Sequence, residues 1–160
     1  MDNLNTFIPL SFDGKKVSFT QDAIKFFGQS INPFIICVYG LPGAGKSSLI
    51  NRLLTKSFDK GPLLVNDGPS TVTHQFSCVG PIPLREFKSF WGISNYTNNN
   101  YDLFFIDSVG FNAIDSTFDI EKDLLYASIS LSTITSIELW VQKGRTSQMI
   151  TEVSSHISLS

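Results

Sequence analysis

Residues 39–51, YGLPGAGKSSLIN, contain the pattern G-x-x-x-x-G-K-[ST], which runs from Gly40 to Ser47 without a mismatch. The residues before it, FIICVYG, form a continuous apolar run of the kind found in strands buried on both faces of a sheet. The residues after it place four apolar side chains on one face of a helix: Leu49, Ile50, Leu53 and Leu54. A glycine-rich turn between a buried strand and an amphipathic helix predicts a loop that cradles phosphate groups.

The residue types in this loop match what phosphate binding requires. Gly40, Gly43 and Gly45 permit backbone conformations that a Cβ atom would disfavour, so successive N–H groups can point towards phosphate oxygens. Lys46 is expected to reach the β- and γ-phosphates in a catalytic role, and the Ser47 hydroxyl is expected to ligate Mg²⁺. The predicted nucleotide-binding residues are Gly40, Leu41, Pro42, Gly43, Ala44, Gly45, Lys46, Ser47 and Ser48.

Strand-like and helix-like segments alternate along the rest of the chain. Buried-strand patterns occur at residues 102–107, 136–141 and, less clearly, 72–80. Helical stripes fit residues 119–131 and 146–157, whereas residues 85–102 are interpreted as a polar connection with aromatic anchors. This order predicts an α/β fold, a three-layer P-loop NTPase sandwich with a mostly parallel sheet, over residues 31–160.

Residues 1–30 are interpreted as an N-terminal extension that precedes this domain. Residues 11–19, SFDGKKVSF, have an Asp-Gly turn signal between short runs that contain apolar residues, which predicts a hairpin. Residues 20–28, TQDAIKFFG, begin with a capping Thr20 and end with Gly28, which predicts a short helix.

A carboxylate for the metal is expected at the end of a second buried strand. In P-loop proteins Mg²⁺ is held by the loop hydroxyl and by an Asp from a neighbouring strand. Asp107 ends the apolar run of residues 103–106, and Gly110 follows it by three positions. Asp-x-x-Gly is the nucleotide-sensing turn of GTPases. We therefore expect Asp107 to ligate the metal and the Gly110 N–H to contact the γ-phosphate in a catalytic role.

The segment between these two motifs contains candidate switch residues. GTPases close on Mg²⁺ and the γ-phosphate with a threonine that precedes the second strand. Thr73 fits this role best, as metal ligand and catalytic residue, because strand-like residues follow it directly; Thr71 is the alternative. His74 could stabilise developing charge, although a lone histidine is more often a surface or packing residue. Phe111 stands where many GTPases place a water-orienting Gln, so slow intrinsic turnover is expected unless another residue or a dimer partner positions the water.

The composition limits the classes of function. The net charge is -2, so no basic footprint argues for nucleic acid, and charged residues make up only 16%, which favours exposed apolar area for a partner. No apolar run approaches the ~18 residues of a membrane span, and the N-terminus lacks the features of a secretory signal. Cys37 and Cys78 lack metal-ligand spacing and are expected to be buried thiols in a reducing compartment. A cytoplasmic location is therefore predicted.

Together these motifs resemble one GTPase family. GLPGAGKSSLIN, STVTHQFSC, FFIDSVGF and residues 121–157 are similar to the first two-thirds of the immunity-associated (GIMAP) GTPases, which are related to septins. The resemblance implies a GTP-controlled module that uses GTP/GDP and Mg²⁺ and whose GTP-bound protomers pair through the nucleotide face. It also implies assembly at membrane surfaces, for which this sequence offers no feature of its own.

The sequence also departs from that family. Ser108-Val109 replaces the usual Thr-Pro, and the segment between Thr73 and Asp107 is long for the family. No guanine-reading Asn/Thr-Lys-x-Asp motif is present, so the domain is expected to be truncated or divergent at its C-terminal side. The alternatives are a dynamin-like GTPase of the guanylate-binding or atlastin type, a P-loop kinase or small ATPase, and an inactive nucleotide-binding remnant.

Overall fold

The computed structural model describes residues 4–13, 15–40, 43–58, 60–64, 76–94, 100–108, 123, 126–128 and 130–138. The strands are β1 (Thr6–Phe7), β2 (Leu10–Phe12), β3 (Val17–Phe19), β4 (Pro33–Gly40), β5 (Ser77–Pro83), β6 (Asp102–Asp107) and β7 (Ile134–Glu138). The helices are α1 (Gln21–Gln29), α2 (Lys46–Thr55) and α3 (Leu84–Phe90). Residues 126–128 and 130–131 are also helical. The fold is therefore mixed α/β, as the sequence predicts.

Five strands form the main sheet in the order β1-β5-β6-β4-β7. Strand β4 is parallel to both β6 and β7, whereas β5 is antiparallel to both β1 and β6. The prediction of a mostly parallel sheet is thus only partly right, because the sheet is mixed. The reason is the return from β5 to β6: Pro83 pairs with Asp102, and the Leu84 N–H donates to the Tyr101 carbonyl at 2.8 Å. Strand β6 therefore starts beside the end of β5, and the two strands run antiparallel.

Residues 85–102, interpreted from sequence as a polar connection, contain the short helix α3. This helix starts directly after Pro83 and spans seven residues. It is held against α2 at its C-terminal end, where the Trp91 indole N–H donates to the Leu53 carbonyl at 2.8 Å. The aromatic residues expected to anchor the segment thus anchor a helix.

Helices cover both faces of the sheet. Because successive side chains of a strand point to opposite faces, the apolar run of β4 is divided between two clusters. One cluster contains Cys37, Phe104 and Ile106 and packs against Phe27 of α1. The other contains Val38 and Phe105 and packs against α2. Burial on both faces explains why β4 and β6 lack the apolar–polar alternation of a half-exposed strand.

The first 30 residues contribute to this core. The predicted hairpin is confirmed, because β2 and β3 pair from Leu10↔Phe19 to Phe12↔Val17. The predicted cap is also confirmed, since the Thr20 hydroxyl accepts from the Ala23 N–H at 3.1 Å. Helix α1 packs on the sheet and β1 pairs with β5.

Candidate phosphate-binding site

The turn between β4 and α2 has the backbone conformation that its glycines permit. Gly43 has φ 72° and Gly45 has φ 91°, a region in which residues with a Cβ atom are disfavoured. Gly45 is the N-cap of α2, and it has no side chain with which to cap the first N–H groups of the helix. A helix N-terminus that follows a glycine-rich turn is the backbone arrangement found at anion-binding helix termini.

Ser47 and Asp107 meet at the end of this turn. The Ser47 hydroxyl donates to the Asp107 Oδ2 at 2.6 Å, although the two residues are 60 positions apart. The parallel register Val38↔Asp107 produces this contact, because it places the end of β6 beside the end of β4. Asp107 is 1% exposed. The structure thus brings together two of the three predicted metal ligands.

Lys46 lies at the same point, as the first residue of α2. Its side chain is 6% exposed, which is unusual for a lysine, since lysines are rarely buried unless they have a partner. The site therefore concentrates a buried cation, a buried carboxylate and a hydroxyl at the carboxyl edge of the parallel strands. Ligands commonly bind at this edge in open α/β sheets.

The other predicted site residues divide into two groups. Gly40 ends β4, Ala44 is buried in the turn, and Ser48 is half-buried in the first turn of α2. These positions are compatible with the predicted loop. The remaining predicted residues lie outside the described residues: Leu41, Pro42, Thr71, Thr73, His74, Gly110 and Phe111.

The donor set suits a hard divalent cation. A hydroxyl oxygen and a carboxylate oxygen within hydrogen-bond distance are the ligand types that Mg²⁺ takes in nucleotide sites, where phosphates and water complete the shell. Among the described residues, no group of three or more His, Cys, Asp or Glu could hold a metal ion. Ser47 and Asp107 alone would leave most positions in the shell of such a cation to phosphate oxygens and water.

The two cysteines lie in the main sheet, Cys37 on β4 and Cys78 on β5. Burial, and secondly the charge of Asp107, raise the pKa of the Cys37 thiol to about 12. Burial and then Cys37 raise the pKa of Cys78. Both pair with Ile106, from opposite sides, so they are two strands apart, about 9–10 Å, beyond disulfide reach. The prediction of buried free thiols is confirmed.

Sequence reasoning missed Asn51. This residue is fully buried on α2, and its side-chain amide forms two hydrogen bonds with the backbone of Leu63. No motif marks such a residue, because its role depends on a backbone contact made after the helix has ended. The available signal was the position itself: an Asn among the apolar residues of the predicted helix stripe.

No protein-family model matches the chain, and no curated protein matches it significantly. Among the described residues, no helix is long and apolar enough to cross a membrane. The function is therefore argued from the site and the sequence motifs alone.

Proposed function

We propose that this chain is a P-loop GTP-binding domain with slow GTPase activity, related to the GIMAP-like GTPases. The observation that carries the proposal is the 2.6 Å hydrogen bond between Ser47 and Asp107. It joins the last residue of the phosphate-loop motif to the carboxylate of Asp-x-x-Gly, which lies 60 positions further along the sequence. A glycine-rich turn that matched the motif by chance would not be expected to lie beside a buried carboxylate on the adjacent strand.

The proposed roles follow from charge and position. The N-terminal amides of α2 and the Lys46 ammonium would hold the phosphate oxygens. The Ser47 hydroxyl donates a hydrogen bond to Asp107, and the oxygens of Ser47 and Asp107 would hold Mg²⁺. Mg²⁺, when bound, neutralises the negative charge that the β- and γ-phosphate oxygens carry.

The remaining roles rest on sequence. Thr73 and Gly110 are proposed to contact the γ-phosphate, so that the triphosphate is distinguished from the diphosphate. Phe111 offers no hydrogen bond to an attacking water, which supports slow hydrolysis. Guanine preference and pairing of protomers through the nucleotide face are proposed from the family resemblance.

The test is calorimetric titration with GTP, GDP and ATP in the presence of Mg²⁺. We expect GTP and GDP to bind and ATP to bind more weakly. Lys46→Ala should weaken GTP binding by about a hundredfold, because it removes a charged contact to phosphate worth roughly 1.5–3 kcal/mol. Lys25→Ala, which removes the same charge from the exposed surface of α1, is the matched control and should bind GTP as the wild type does.

Other outcomes would replace the proposal with an alternative. Tighter binding of ATP than GTP would favour a P-loop kinase or ATPase. Absence of binding by the wild-type protein, with the fold intact, would favour a remnant without nucleotide function. Light scattering with and without a non-hydrolysable GTP analogue then tests pairing, which predicts a doubling of mass with the analogue only.

A further inference from the structure

The C-terminal end of α2 carries a cluster of positive charge formed by Arg52, Lys56 and Lys60, which we call the basic cluster. All three residues are exposed, and none of them forms an ion pair within the part of the chain that the structure describes. Arg52 and Lys56 are one helical turn apart. The Thr55 hydroxyl donates to the Lys60 carbonyl, so the chain at Lys60 lies against the end of the helix.

The basic cluster is a local excess of positive charge in a chain whose net charge is -2. The sequence of residues 52–60 includes a single acidic residue, Asp59, which lies outside the described residues. On the neighbouring helix α3 the acidic residue is Glu86, which forms no ion pair with the cluster. Unpaired surface charge of one sign attracts a partner of the opposite sign, so the cluster suits an anionic partner.

Aromatic rings hold the two helical cations in place. The Arg52 Cζ lies 5.1 Å from the centroid of the Phe58 ring, and one guanidinium N–H donates to the Lys56 carbonyl. The Lys56 Nζ lies 4.5 Å from the centroid of Phe90 and 5.4 Å from that of Trp91. A guanidinium that is already oriented loses less side-chain entropy when its remaining N–H groups bind a carboxylate.

Two further features of this surface are unfavourable for the isolated fold. Lys56 has φ 63° at the C-cap of α2, a left-handed position at which glycine is the usual residue. The Phe58 ring is 57% exposed. A lysine with a strained backbone is better explained by what its side chain binds than by the stability of the helix. Arg and exposed aromatic residues are also enriched in protein–protein interfaces.

We propose that the basic cluster binds an acidic peptide segment of a partner protein, with Arg52 and Lys56 each contacting a carboxylate. The exposed Phe58 ring contacts an apolar side chain of that segment. Single-stranded nucleic acid fits less well, because its bases stack on open ring faces, whereas the Lys56 ammonium lies over both rings of α3. The inference is independent of the proposed function, since it uses no residue of the phosphate-binding site.

The test is fluorescence anisotropy with a labelled peptide, Glu-Gly-Glu-Phe-Glu-Gly-Glu, and with its counterpart in which Gln replaces every Glu. In an extended peptide, alternate residues are about 6–7 Å apart, close to the spacing of about 5–6 Å between side chains one helical turn apart. The Glu peptide should bind, and the Gln peptide should bind at least about tenfold more weakly because it lacks charge-assisted hydrogen bonds. Equal binding of the two peptides would overturn the proposal.

Two charge-matched double variants locate the binding. Arg52→Gln with Lys56→Gln should weaken binding of the Glu peptide by at least about tenfold, the loss expected from one charge-assisted hydrogen bond. Lys15→Gln with Lys16→Gln removes the same charge from the exposed turn between β2 and β3 and should bind as the wild type does. Equal losses in the two double variants would mean non-specific attraction, and the assignment to the basic cluster would be wrong.

A single variant separates binding from folding. In Lys56→Gly, relief of the left-handed backbone offsets the lost contacts with the rings, so the unfolding temperature should change little. Binding of the Glu peptide should nevertheless weaken by about tenfold. Wild-type affinity in this variant would contradict the role of Lys56.

Other anionic partners are tested with a labelled oligothymidylate and with vesicles that contain phosphatidylserine. Neither should bind as tightly as the Glu peptide. Tighter binding of the oligonucleotide or the vesicles, or no binding of the Glu peptide by the wild-type protein, would overturn the proposal. None of these measurements contains GTP, so their outcome is distinguishable from failure of the proposed function.

Discussion

The two faces of the sheet bury different kinds of side chain. On the α1 face, aromatic rings dominate: Phe7 lies 4.8 Å from Phe26, and Phe27 lies 4.8 Å from Phe104, centroid to centroid. The α2 face is mostly aliphatic, with Val38, Ile50, Leu54, Val79 and Ile82 in its cluster. Yet the described charged residues that are buried all belong to the α2 face or to its carboxyl edge: Lys46, Lys88 and Asp107.

Under the proposed function, the α1 face contributes to stability and the charged residues of the α2 face contribute to ligand binding. Burial of rings stabilises the fold without directional requirements, whereas burial of charge is unfavourable unless each charged group is paired or serves a ligand. Substitutions on the apolar face can therefore change stability while they leave the charged groups on the other face in place. The comparison predicts that substitutions on the α1 face alter folding, and that substitutions at the site on the α2 face alter binding.

The largest expected effect is on the α1 face. Phe104→Ala should lower the free energy of unfolding by about 3–5 kcal/mol, because Phe104 is fully buried and the cavity would be only partly filled. Urea denaturation measures this loss. The folded fraction should still bind GTP with wild-type affinity. Phe104→Leu, which retains most of the volume, should lose far less stability. A weakened GTP affinity in either variant would contradict the division of stability and ligand binding between the two faces of the sheet.

A smaller effect is expected at the site. Asp107→Asn retains a side chain that can accept from Ser47 but removes the charge, so Mg²⁺-dependent GTP affinity should fall by about 10- to 100-fold, or roughly 1.5–3 kcal/mol. For Asp107→Asn, the GTP affinities measured in the presence of Mg²⁺ and in the presence of a chelator should then be similar. Asp102→Asn, at the other end of β6, is the matched control and should retain the Mg²⁺ dependence. A similar loss in both variants would contradict the assignment of Asp107.

The smallest expected effect is a pH dependence of the free energy of unfolding that arises from the Cys37 thiol. The pKa of Cys37 is raised to about 12 in the folded protein, against 9.0 in the unfolded chain. Between these values the unfolded chain releases the thiol proton and the folded protein keeps it, so the free energy of unfolding should fall as pH rises from 9.0 towards 12. By about pH 10 the loss should be about 1 kcal/mol relative to about pH 8. In Cys37→Ala the free energy of unfolding should decline less over this pH range, by that same amount. An unchanged decline would show that the folded protein does not raise the pKa of the Cys37 thiol.

The sequence was most informative where a local pattern coincides with a buried element. The apolar runs of β4 and β6 and the glycine spacing predicted the edge at which Ser47 and Asp107 meet. Non-local features were not predictable. The antiparallel direction of β5 depends on its return beside Asp102, and α3 is too short to show a clear apolar stripe. Asn51 was missed because its partner is a backbone group, which has no sequence signature.

Strand β1 has a consequence for how molecules of this protein meet one another. Among the described N-terminal residues, Thr6 and Phe7 pair with β5, and the Gly80 N–H donates to the Asn5 carbonyl. Further along β5, Pro81 and Pro83 have no N–H to offer to a neighbouring strand. A very short edge strand and prolines near an edge are both features that limit edge-to-edge pairing of sheets. We therefore expect this edge of the sheet to resist extension by a strand from another molecule.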